Sequence, residues 1–135
     1  MRCMQLSLLL FAIAAACAGA APSPPSSNRA LASLLAEPKF APGRCYTGAD
    51  TPEDRPALEA AVDRAISDVA ALPAPVDRRA VHDRLERLIR EVDGFATEDR
   101  DQAYRYAVRI WRAAGLHGES RLFALPDARV LAEPC

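Results

Sequence analysis

Three stretches of this chain repeat apolar residues at helical spacing, and each is closed off by proline or glycine. Beyond a start near Thr51 or Asp54, Leu58, Val62, Ala65, Ile66, Val69 and Leu72 fall on one stripe, the spacing that buries one face of a helix. Pro52 and Pro56 fit only a first turn, where a missing N–H costs nothing, and Pro73 and Pro75 end the segment. The second stripe is Val81, Leu85, Leu88, Ile89 and Val92. Asp77 is its expected cap, Val76 is placed to pack on Val81, and Gly94 is the expected left-handed stop. The third helix is expected to open on Thr97 as cap, with Glu98, Asp99 and Asp101 in the first turn, where negative charge complements the dipole. Its face is Ala103, Ala107, Ile110, Trp111 and Ala114, widened by Tyr104 and Val108, and Gly115 ends it. A shorter apolar run, residues 28–36, is expected to be capped by Asn28 and is stopped by Pro38. Alternating apolar and polar runs, the strand signal, are missing. The expected fold is all-α, a small antiparallel bundle of three main helices plus a short N-terminal helix.

These 135 residues suffice for one domain, and the first twenty read as a signal peptide. Arg2 gives a minimal positive start, and residues 6–16 are an uncharged apolar stretch too short to span a bilayer. Two cleavages compete. One follows Ala20, at the small-residue pair Ala18 and Ala20; the other precedes Cys17, whose thiol would then carry a lipid. Residues 18–28, rich in Pro, Ser and Ala, suit a tether between membrane and domain. The expected division is 1–20 signal, 21–39 tether and short helix, and 40–135 helical bundle.

Cys3 leaves with the signal, so Cys45 and Cys135 are the thiols of the folded part. In an oxidising compartment two such cysteines are expected to form a bridge. It would close a loop of about 90 residues, worth up to about 4–5 kcal/mol in the chain-entropy account. The segment from Phe40 to Thr51 carries Pro42, Gly43 and Gly48 and reads as a loop pinned by Cys45.

A net charge of −1 gives no broad positive field, so no nucleic-acid partner is expected. His82 and Glu86 stand at i, i+4, but zinc catalysis needs three protein ligands. Exposed ion pairs, Asp83 with Arg87 and Glu86 with Arg90, explain that face, and no metal or cofactor is expected. Adjacent acidic residues such as Glu98 and Asp99 or Glu53 and Asp54 read as helix first turns rather than an acid and base placed across a cleft. No phosphate-cradling glycine loop, nucleophile elbow or Cys-His arrangement is present, and no catalytic residue is assigned. Asp101, Arg105, Arg109 and Arg112 run down one side of the third helix. That is either a solvated face or an arginine ladder for an anionic partner. Arg44, Tyr46 and Thr47 around Cys45 would present a rigid contact loop if Tyr46 is exposed, and none if it is packed.

Residues from about Phe40 to Pro126 resemble a family of small exported bacterial domains of unknown function. The resemblance rests on Tyr46-x-Gly48 before an amphipathic helix, and on Thr97-Glu98-Asp99-Arg100 opening a helix with Tyr104 or Tyr106. It implies a helical fold with no established activity; Cys135 is outside the pattern. The combined expectation is a non-catalytic binding protein of the periplasm or outer membrane. It would hold a protein partner of the cell envelope, as an inhibitor or immunity-type protein for a toxin or hydrolase. The alternative is a structural or scaffolding envelope lipoprotein, touching the membrane only through a lipid at Cys17.

Overall fold

A computed structural model describes residues 26–118 of the chain. The signal, Cys17, and the tail with Cys135 lie outside the described residues. Four helices follow one another: α1 Ser26–Ala36, α2 Asp54–Ala70, α3 Arg78–Glu91 and α4 Thr97–Ala113. The fold is all-α, with no strand among the described residues. No helix among them is long and apolar enough to cross a membrane.

The stripes read from the sequence form the core. Leu58, Val62, Ala65, Ile66 and Val69 of α2, Val81, Leu85 and Leu88 of α3, and Ala103, Ala107, Ile110 and Trp111 of α4 are all buried. α2, α3 and α4 pack on one another, while α1 packs on α2 and α4 but not on α3. Leu31 and Leu34 of α1 are buried in the same cluster, so packing runs across the boundary expected at residues 39 and 40. Arg78, at the start of α3, lies 4.7 Å over the ring of the buried Trp111 near the end of α4, a cation–π contact that ties the two helix ends together.

The helix ends agree with the sequence at two places and depart from it at three. Asp77 caps α3 by accepting from the backbone N–H of Arg79 and Ala80. α4 ends in a complete Schellman motif: Gly115 takes φ +80°, its N–H donates to Arg112 O at 2.9 Å, and Leu116 N–H donates to Trp111 O at 3.1 Å. Gly94, by contrast, is not left-handed. α3 stops earlier, and the chain turns through bonds from Asp93 N–H to Arg90 O and from Phe95 N–H to Val92 O, which leaves Gly94 no capping role. Thr97 is the first residue of α4 rather than its cap; Ala96 holds the cap position and offers no side-chain bond. Asn28 lies inside α1 and caps nothing there.

Candidate functional site

The segment between α1 and α2 is folded back on itself before it meets anything else. Gly43 N–H donates to Tyr46 O at 2.7 Å, closing a turn. Gly48 then takes φ +106° so close to Pro42 that a Cβ would stand 3.1 Å from the proline ring, which leaves glycine as the residue that fits. Phe40 is buried, with φ +50°. Its ring lies edge-on to Tyr46 at 6.0 Å and tilted against Tyr106 of α4 at 5.4 Å, so three aromatic rings seat the loop on the bundle.

Tyr46 therefore points inward. It is buried, and its hydroxyl donates to Asp99 Oδ1. The other oxygen of Asp99 accepts from the backbone N–H of Asp50 at 3.2 Å. Asp99 is in the first turn of α4 and is 0% exposed. Helix dipole, phenol and loop amide together stabilise this buried carboxylate. Burial, then the bond to Asp99, holds the Tyr46 phenol well above its ordinary range; burial also raises that of Tyr106. At the rim, Thr47 Oγ1 reaches Glu98 Oε2 at 3.5 Å. The loop and the start of α4 enclose a cleft of about 470 Å³, lined by Thr47, Gly48, Ala49 and Asp50 on one side and Ala96 to Asp99 on the other. Among the described residues none of its three carboxylates, Asp50, Glu98 or Asp99, forms an ion pair. A cleft with that lining suits a cationic group.

The other candidates from the sequence fall as follows. Arg44 and Thr47 are exposed on the loop; Tyr46, turned inward, presents no wedge to a partner. Cys45 is the one cysteine among the described residues, so no disulfide closes within them. The arginine row on α4 is not an open ladder. Arg109 grips the Glu37 carboxylate with bonds of 2.8 and 2.6 Å and lies 5.5 Å over the Tyr106 ring. Arg105 and Arg112 are engaged as well. His82 and Glu86 belong to α3, which contributes nothing to the cleft.

Two features of this region have no counterpart in the sequence reading. One is Asp99 as a buried anchor: its position in a helix first turn is explained by the dipole, so nothing marks it as special. The other is Lys39, the only lysine in the chain, which is 2% exposed. Its ammonium donates to the carbonyls of Leu35 and Glu37 at 3.1 and 3.0 Å, closing the end of α1. It also stands 2.7 Å from Asp63 Oδ1, an oxygen that is itself buried, and forms an ion pair with it. A lone lysine between Pro38 and Phe40 was the available signal.

Compared with known protein families, the chain matches the model of a domain of unknown function (DUF4844) over residues 22–124. No curated protein and no solved structure matches it.

Proposed function

The chain belongs to the DUF4844 family, and from that premise we propose that it is an exported, non-catalytic binding protein of the cell envelope. In this reading the cleft between the Tyr46 loop and α4 receives a basic side chain of a protein partner. The observation that carries it is the pair of exposed carboxylates on the cleft, Asp50 and Glu98, with buried Asp99 behind them, none in an ion pair among the described residues, on walls that the Tyr46–Asp99 bond ties together before any partner arrives. Pre-organised negative charge of this kind favours a basic partner in both encounter rate and choice. A toxin or hydrolase with a basic surface is the concrete form of that partner, with this chain as its inhibitor. A signal peptide cut before Cys17 or after Ala20 delivers it, lipid-anchored or free, and a Cys45–Cys135 bridge fastens the tail to the loop beside the cleft. Self-association as a scaffold through an apolar stripe has less to recommend it. Among the described residues Leu35, at 43%, is the one large apolar side chain that is exposed.

Capture from envelope extracts tests this with three baits: wild type, Asp50→Asn/Glu98→Gln, and Arg105→Ala/Arg112→Ala. We expect a partner retained by the wild type and the arginine variant, released by salt, and lost with the carboxylate variant. Equal retention by all three baits, or none by the wild type, removes the reading.

A further inference from the structure

We propose that His82, Asp83 and Glu86 of α3 form a binding site for a borderline divalent cation such as Zn²⁺, separate from the cleft and independent of its reading. One nitrogen and two carboxylate oxygens, one from each residue, lie within 4.8 Å of one another. Donors on a tetrahedral zinc at bond lengths of about 2.1 Å stand roughly 3.4 Å apart. His82 Nδ1 and Asp83 Oδ1 are 3.8 Å apart, too far for a hydrogen bond and close to the span of an inserted ion.

The sequence explains this face by ion pairs, and the structure removes half of that explanation. Arg87 does not neutralise Asp83; it reaches across to Asp68 of α2 at 3.3 Å, which leaves Asp83 with His82 alone among the described residues. Glu86 does pair with Arg90, at 2.8 Å, but Arg90 is exposed and Glu86 nearly half so, and a pair that open to water is worth little.

The histidine supplies a second observation. A neutral imidazole carries one N–H and one lone pair. Nε2 of His82 is buried without a partner among the described residues, and Nδ1, 3.8 Å from Asp83 Oδ1, is the nitrogen that faces the carboxylate. The ring makes no hydrogen bond, although it is only 25% exposed. With the N–H on buried Nε2, the Nδ1 lone pair is turned toward a carboxylate oxygen, an arrangement that an inserted cation relieves. One nitrogen with two oxygens suits Zn²⁺, Cu²⁺ or Ni²⁺, whereas Ca²⁺ and Mg²⁺ favour oxygen alone. Asp83, exposed, leaves the outer positions of the ion open to water.

Calorimetric titration of Zn²⁺ into the purified chain, cysteines oxidised, tests the site. We expect one ion per chain, no binding of Ca²⁺ or Mg²⁺ at the same concentrations, and an affinity loss of roughly ten-fold or more in His82→Ala and in Asp83→Asn. The second variant changes an exposed side chain and leaves the fold intact. Cu²⁺ should broaden the ring resonances of His82 before those of His117. Zinc affinity equal in all three proteins, or broadening that begins at His117, overturns the proposal.

Discussion

A carboxylate taken fully out of water must be met by donors, and Asp99 is met by two, the Tyr46 hydroxyl and the Asp50 amide. Tyr46→Phe removes the first while keeping the ring that packs on Phe40. A hydrogen bond to a charged buried group contributes about 2 kcal/mol, and urea unfolding should show a loss of that size. The same pair fixes a pH dependence. The folded-state phenol of Tyr46 lies above its ordinary 10.0, so below that pH both folded and unfolded chains hold the proton and the full stability is present. As pH rises through the ordinary range the unfolded chain gives up its proton first, and stability falls. We expect that decline in unfolding experiments at alkaline pH, with a shallower slope in Tyr46→Phe; Tyr106, also raised, keeps the slope from vanishing. An unchanged slope would mean that burial and the bond to Asp99 do not raise the Tyr46 phenol in the folded chain. None of this was visible in the sequence, because Tyr46 and Asp99 are 53 residues apart and each has a local explanation, as a loop aromatic and as a helix first-turn acid. The two short motifs that carry the family resemblance were nonetheless legible, and these residues belong to them: Tyr46-x-Gly48 and Thr97-Glu98-Asp99 face each other across one cleft.

Helices were the most legible level, because each apolar stripe is a property of its own segment and needs no distant partner. Their ends were less so, since a cap depends on backbone angles that several residue types accept. Gly94 and Gly115 make the contrast measurable. Both offer open space where a Cβ would go, but Gly115 has φ +80° and Gly94 is not left-handed. Gly115→Ala should cost about 1–2 kcal/mol for forcing a side chain into the left-handed region. Gly94→Ala should be neutral or stabilise by about 0.4–1 kcal/mol through the unfolded chain. Equal costs from thermal or urea unfolding would contradict the Schellman ending of α4. Asp77→Ala should cost about 1 kcal/mol, because two α3 amides lose their acceptor.

At the scale of the whole molecule the question is whether α1 is a tether or a wall of the domain. A tether is solvated and can be cut away. α1 instead places Leu31 and Leu34 in the core, and the residues just after it are fastened twice. Glu37 is gripped by Arg109 of α4, and Lys39 bridges the end of α1 to Asp63 of α2. These ties hold the stem from which the Tyr46 loop departs, so α1 also bears on the cleft. The sequence placed the division between residues 39 and 40, just past the proline that stops the helix; that local signal says nothing about which face of the preceding helix is covered. Leu34→Ala should therefore cost about 2–5 kcal/mol, the range for a buried leucine, where a tether residue would cost nothing measurable. Lys39→Met keeps the apolar stem but leaves two carbonyls and Asp63 without the ammonium. The Asp63 side chain is 44% exposed, though the oxygen that meets the ammonium is buried, so the expected loss is about 1–3 kcal/mol, smaller than for breaking a fully buried pair. If both variants unfold at the wild-type urea midpoint, α1 is dispensable and the cleft must be held by α2 to α4 alone.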